Sequence, residues 1–186
     1  NQSLAALGTA MATYAGQNYG AGRHDRIKSG VRAGLLIDAI FSAAGLVLVL
    51  AFNEILLKLF IEAPTEEMVY YSKTYLIFQA AFYFILGTVF LYRNTLQGMG
   101  CSLLTVIAGV TEVAMRFVAV FLFVAWWGYN GLCMSNPAAW IGATIYLVIA
   151  YYVVIYKRIN AAKLPETPEK QSPTAENKTE TAENEA

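Results

Sequence analysis

The sequence predicts an all-α, polytopic transmembrane helix bundle of about four full spans plus the end of another, and three observations carry that expectation. Hydrophobic residues make up 57% of the 186 and charged residues only 14%, against about 25% charged in an ordinary soluble domain. The charge is uneven, because residues 160–186 concentrate Lys163, Lys170 and Lys178 with Glu166, Glu169, Glu176, Glu180, Glu183 and Glu185. Elsewhere the apolar residues come in long runs, and a hydrocarbon core about 30 Å thick needs about 20 of them in a helix. Strands of a membrane barrel would instead alternate apolar and polar over about ten residues, which these runs do not.

A first apolar stretch, up to Tyr14, reads as the end of a helix. Asn1 stands where an initiator methionine would, and no basic segment with a small-residue cleavage site opens the chain. The stretch therefore does not read as a signal peptide, and the chain is expected to be a fragment of something larger. Full spans follow at approximately 29–53, 70–97, 101–127 and 138–157. The first is apolar over 33–52 except at Asp38 and Ser42, and the second is aromatic-rich with Ser72, Lys73 and Gln79 as interruptions. The third carries Thr105, Thr111, Glu112 and Arg116, and the fourth is uncharged over 138–156. Residues 1–159 thus form one transmembrane unit. The tail, 160–186, is rich in Pro, Glu, Thr and Asn and cannot bury enough surface to offset its ordering entropy, so disorder is expected there.

Lys and Arg accumulate on the cytoplasmic side of membrane proteins. Arg23, Arg26, Lys28 and Arg32 precede the first span, Arg93 lies at the end of the second, and Lys157, Arg158 and Lys163 follow the fourth. The other side has Lys58 and Lys73 among Glu54, Glu62, Glu66 and Glu67, plus an uncharged connection over 128–137. The 20–28 loop, the 98–100 turn and the C-terminal tail are accordingly expected in the cytoplasm. Cys101 and Cys133 fall at opposite ends of the third span, too far apart to pair.

Whole classes of function drop out. Net charge is zero, which argues against a nucleic-acid partner. One His and two Cys exclude the usual four-ligand His/Cys metal site. There is no phosphate-binding loop, and neither a G-x-S-x-G nor an H-E-x-x-H pattern, so no enzyme is expected. Anything this chain moves must draw on an ion gradient or on the solute's own gradient.

An ionisable residue within a span is costly and marks a functional site by default. Three occur: Asp38, Glu112 and Arg116. On the third span Ser102, Thr105, Gly109, Glu112 and Arg116 recur at steps of three and four, which puts them on one helix face. Small and polar residues on one stripe predict a face turned toward other helices or a water-filled cavity. Glu112 and Arg116 also make an i, i+4 pair with the acid first, the better orientation. They read either as a structural ion pair or as groups that couple ion movement to transport. The second span has a stripe of Tyr75, Gln79, Tyr83, Leu86, Phe90, Arg93 and Gln97. Tyr75, Gln79 and Tyr83 are candidates to line a substrate cavity, since aromatic faces bind flat cations; ordinary packing is the other reading. The first span has Gly30, Gly34, Asp38, Ser42 and Gly45. Asp38 shows no obvious partner within one turn and reads as a proton or cation site, or as a partner for a helix elsewhere. Trp126, Trp127 and Trp140 suit interfacial anchoring.

Four segments together resemble a known family. Gly16-Gln17-Asn18-Tyr19-Gly20-Ala21-Gly22, running on through Arg26, resembles the GQN-G-AG cytoplasmic loop of the MATE (multidrug and toxic compound extrusion) transporters. Arg93-Asn94-Thr95-Leu96-Gln97-Gly98-Met99-Gly100, Glu112 to Phe117, and Ala138 to Ala143 are similar to further segments of that family, in the same order. The resemblance implies the second lobe of a twelve-helix transporter, with these spans as the ninth to twelfth helices. It implies export of organic, often cationic, compounds across the cell membrane in exchange for H⁺ or Na⁺, by rocking of two lobes, with no cofactor beyond the coupling ion. The partners it implies are the lipid bilayer, small organic substrates and the missing N-terminal lobe of the same protein. Some members carry a carboxylate on the tenth helix, where this chain offers Gln79. Glu112 and Arg116 match a pair common in bacterial members. Gly16, Gln17, Asn18, Gly20 and Gly22 would shape a tight loop beside the lobe interface, with Glu112 and Asp38 as the protonatable groups. The alternatives are a related exporter or flippase of lipid-linked sugars, or a membrane scaffold without transport.

Overall fold

Apolar sequence without water to bond its backbone winds into helices, because each turn then satisfies its own N–H and C=O groups. The computed structural model describes residues 2–60 and 65–163, with side chains over 2–53, 55 and 65–157. Six helices follow in order: α1 (Gln2–Gly20), α2 (His24–Phe60), α3 (Glu66–Ala81), α4 (Tyr83–Gly98), α5 (Ser102–Trp127) and α6 (Tyr129–Lys163). Among the described residues there is no strand, as an all-α bundle requires. Helices α2, α5 and α6 are each long and apolar enough to cross a membrane, and α3 with α4 make a fourth such span if taken together.

The first span is longer than the expected 29–53, α2 running over His24–Phe60 so that most of the expected 20–28 loop is helix; three further boundaries differ for local reasons. The second span is not one helix over 70–97: α3 and α4 meet at Phe82 with a bend of 46°. Phe82 leaves helical geometry (φ −106°, ψ 11°), its N–H turning back to the carbonyls of Gln79 and Ala80. The connection expected over 128–137 is nearly absent. Gly128 alone separates α5 from α6, and Pro137 lies inside α6. A proline interrupts a helix by freeing the carbonyl four residues before it, here that of Cys133, and α6 continues through Pro137 all the same. Finally, α6 runs on to Lys163, so 160–163 continue the helix; the rest of the expected disordered tail lies outside the described residues.

Helix α4 sits at the centre. It packs against α1, α2 and α6, and less extensively against α5 and α3, while α5 pairs chiefly with α6. The core follows from that arrangement, with Leu91, Tyr92 and Leu96 of α4 against Ile27 and Val31 of α2 and Leu147, Tyr151 and Ile155 of α6. Tyr92 and Tyr151 meet edge to face at 5.1 Å between ring centres, a preferred aromatic geometry. The outward faces of α2 and α5 present Leu36, Ile40, Phe41, Phe117 and Phe121 to the surroundings, as helices bordering lipid do. Trp126 and Trp127 are 84% and 60% exposed, as interfacial anchors would be. Trp140 is only 8% exposed: it is a buried residue of the helix interior and not an anchor.

Candidate functional site

The glycine-rich segments are helix ends. At the close of α1 the Arg23 N–H reaches the Asn18 carbonyl (2.8 Å) and the Gly22 N–H reaches that of Tyr19 (3.0 Å). At the close of α4 the Cys101 N–H reaches the Leu96 carbonyl (2.9 Å) and the Gly100 N–H that of Gln97 (3.0 Å). Both sets are the paired six-to-one and five-to-two bonds that end a helix around a left-handed residue. Gly22 (φ 70°) and Gly100 (φ 78°) supply that residue, a conformation open to glycine at no steric cost. Gly98 meets the backbone of Ala12, and a Cβ on Gly16 would lie 3.1 Å from the Gly98 carbonyl oxygen, so these two let α1 and α4 approach closely. Gly20 faces open space. Gln17 and Gln97 are exposed, while Asn18 is buried and its side-chain amide donates to the Tyr14 carbonyl at 2.8 Å.

The small-residue stripe of α2 faces inward. Gly34 meets Leu91, Gly45 meets Tyr83, and Asp38 lies fully buried against Gly87 of α4. Asp38 is not without a partner one turn away, contrary to expectation. Ser42 Oγ donates to Oδ1 at 3.2 Å, and Thr88 Oγ1, from α4, lies 3.3 Å from Oδ2. Thr88 also lies 2.8 Å from the Phe84 carbonyl, so its one proton is shared between the two acceptors. The sequence indicated Ser42 by its place on the stripe. Nothing local pointed to Thr88, which is 50 residues away.

Glu112 and Arg116 pair as their spacing predicts, Arg116 Nη2 to Oε1 at 3.1 Å. The shorter bond comes from elsewhere: Arg93 Nη2 donates to Oε2 at 2.7 Å. The sequence offers Arg93 both as a charge at the end of the second span and as a member of that span's stripe with Tyr75, Gln79 and Tyr83. It lies within α4, half-buried, and bridges to α5 through the carboxylate that Arg116 also holds. Each is a charge-assisted bond, about twice the strength of a neutral one.

Beside this cluster lies a cavity of about 310 Å³, lined by Tyr75, Leu76 and Gln79 of α3, Tyr83 of α4, Arg116 of α5, and Asn136 and Trp140 of α6. The three residues expected to share a cavity do so, Tyr75 and Gln79 from before the bend at Phe82 and Tyr83 from just after it. Asn136 and Trp140 were missed as lining. Asn136 precedes a proline and reads as loop in a sequence, and Trp140 reads as an anchor. Asp38 is not part of this lining; its polar partners come from α2 and α4, those of Glu112 from α4 and α5.

A family model described as MatE matches residues 3–122, more than half of the chain. The chain belongs to the MatE family. Two curated relatives from Bacillus subtilis (strain 168) agree. The probable multidrug resistance protein YoeA is 24% identical over 85% of this chain and 34% of its own length. The probable multidrug resistance protein YpnP is 27% identical over 86% of this chain and 35% of its own length. This MatE chain thus spans about a third of the relatives it matches. Its fold is also that of part of a solved structure, described as the inward-facing conformation of a multidrug resistance MATE family transporter of the MOP superfamily. That likeness has a TM-score of 0.69 at 18% identity, over 80% of this chain and 33% of the other.

Proposed function

We propose that this chain forms part of the second lobe of a multidrug efflux antiporter of the cell membrane, its C-terminal tail in the cytoplasm. The lobe pairs with an N-terminal lobe and exports organic compounds in exchange for H⁺ or Na⁺ as the two rock about a shared cleft. The observation that supports this most directly is a carboxylate holding two helices together at the edge of a cavity of ligand size. Pockets for small molecules run from about 300 Å³ upward and combine aromatic walls with a few polar groups.

Ionised Glu112 accepts from Arg93 on α4 and Arg116 on α5 at once. A protonated carboxyl keeps one acceptor oxygen free of hydrogen and turns the other into a donor, so it cannot hold both guanidinium groups equally. Loss of the Arg93 bond loosens α4 from α5, and loss of the Arg116 bond frees a guanidinium in the cavity wall. A coupling ion shifts the balance of inward- and outward-facing forms only through a difference in affinity between them. Glu112, whose bonds reach both an interhelical contact and a cavity wall, supplies such a difference.

The test is substrate-dependent ion flux in proteoliposomes containing the full-length protein. Glu112→Gln, which keeps the shape and removes the charge, is expected to cut flux by about a hundredfold or more, as loss of a proton-transfer group does, with the protein still folded. Flux at the unaltered rate reduces Glu112 to a packing residue.

A further inference from the structure

We infer that the cavity between α3, α4, α5 and α6 receives an anionic group, a carboxylate or phosphate carried on a flat apolar body. This rests on the reading of the cavity as the ligand site and deepens it, because aromatic walls by themselves would equally suit a cation. Three observations decide the sign of the charge.

The first is the balance of ionised groups. Arg116 lines the cavity, and Arg93 stands behind it on the same carboxylate. Two guanidinium groups face one Glu112, whose two oxygens are both already engaged, so the cluster carries one positive charge in excess. No Asp or Glu is among the lining residues. An uncompensated charge within a membrane span is expensive and is met by a counter-charge or by water.

The second is the supply of hydrogen-bond donors. Gln79 is 6% exposed, and its Nε2 has no partner. The Nε groups of Arg116 and Arg93 are likewise buried without one. Leaving such groups unpaired costs the free energy of removing them from water. Of these side chains Gln79 and Arg116 line the cavity, so a ligand that brings oxygen acceptors suits that wall, whereas a ligand cation brings donors to a wall that already has a surplus. Guanidinium groups bind carboxylate and phosphate best of all, through parallel N–H donors.

The third is shape. Tyr75, Tyr83 and Trp140 supply flat apolar surfaces around the same space. Attraction of a cation by aromatic faces is opposed there by Arg116, while the rings remain free to stack on an apolar body. Together these features select an aromatic anion over an aromatic cation of equal size.

The deciding experiment uses two probes with one ring system and opposite charges, 2-naphthoate and 2-naphthylmethylammonium. Each is titrated calorimetrically into the full-length protein in nanodiscs of zwitterionic lipid. The naphthoate is expected to bind about tenfold or more tightly than the ammonium, the difference one charge-assisted bond makes. Gln79→Glu, nearly equal in size, sets a carboxylate in the wall and should abolish or reverse that preference; Arg116→Gln should weaken naphthoate binding alone. Should Arg116→Gln fail to fold, Asn136→Asp reads the same electrostatics. The anion has two natural sources, and native mass spectra after exposure to phosphatidylglycerol separate them. Phospholipid kept by the unaltered protein and lost by Gln79→Glu identifies a lipid headgroup; none kept by either identifies a soluble organic anion.

Ammonium binding as tight as naphthoate, or a preference that Gln79→Glu leaves unchanged, overturns the inference. Because binding is measured without flux, its fate separates from that of the transport reading. A protein that selects naphthoate yet shows no export keeps the anion site and loses the antiporter. One that exports cations and ignores naphthoate does the reverse.

Discussion

Asp38 on α2 and Glu112 on α5 are both carboxylates within membrane-spanning helices, and their surroundings differ in kind. Asp38 is wholly buried, meets among the described residues the neutral hydroxyls of Ser42 and Thr88, and has the backbone of Gly87 pressed against it. Glu112 holds two guanidinium groups and stands behind a cavity wall. The first site is governed by volume, since anything added to Gly87 meets the carboxylate. The second is governed by charge, since three ionised groups there depend on one another. Helix α4 serves both, with Thr88 on one face and Arg93 five residues later on another, about 7.5 Å further along its axis. A carboxylate can thus be kept inside a membrane protein by tight enclosure or by counter-charge, and these fail differently.

Removing the acid at the charged site should give the largest loss of stability. Glu112→Ala leaves Arg93 and Arg116 without a counter-charge; a fully buried pair broken in that way costs about 3–5 kcal/mol, and the cost here is lower because the Arg116 side chain is 42% exposed and partly screened by solvent. Thermal unfolding of the purified full-length protein measures it. Changing both arginines as well, in Arg93→Met with Arg116→Met, should recover most of the loss, because the cost lies in the stranded charges. Failure of that recovery would make the Glu112 site one of packing, like the other.

At the enclosed site the sensitive position is the glycine and not the acid. Gly87→Ala places a methyl group onto the Asp38 carboxylate, and overpacking of this kind costs about 1–3 kcal/mol. Asp38→Ala in the same chain makes room and should restore the unfolding temperature. If Gly87→Ala is harmless alone, the contact between α2 and α4 is looser than the enclosed reading requires.

Much of this was legible in the residues, and what was not shares one physical cause. Helical class, the inward stripe of α2, the Glu112–Arg116 pair and the shared cavity of Tyr75, Gln79 and Tyr83 all follow from periodicity along one helix. Thr88 beside Asp38 and Arg93 beside Glu112 do not, because each contact is made between helices and depends on how α4 is rotated. Such a rotation is set by the sum of many packing contacts, which no local pattern records. Trp140 and Pro137 misled for a related reason: an aromatic near a span's end and a proline near a turn have usual meanings, which tertiary packing overrode. The family likeness supplied the order of the helices but not these pairings.

The smallest expected effect separates glycines that one motif places side by side. Gly20 and Gly22 both belong to the Gly16-Gln17-Asn18-Tyr19-Gly20-Ala21-Gly22 segment, yet only Gly22 has a positive φ, at 70°, and Gly20 is the last helical residue with free space around it. Left-handed backbone costs a residue with a Cβ about 1–2 kcal/mol, so Gly22→Ala should lower the unfolding temperature slightly but measurably. Gly20→Ala should leave it unchanged or raise it, because alanine favours a helix over glycine by about 1 kcal/mol. Gly100→Ala at the end of α4 (φ 78°) should follow Gly22→Ala, since both close a helix with the same paired bonds. Equal effects at Gly20 and Gly22 would mean that the motif's glycines serve contacts made by another part of the protein, and that helix termination is not what selects them.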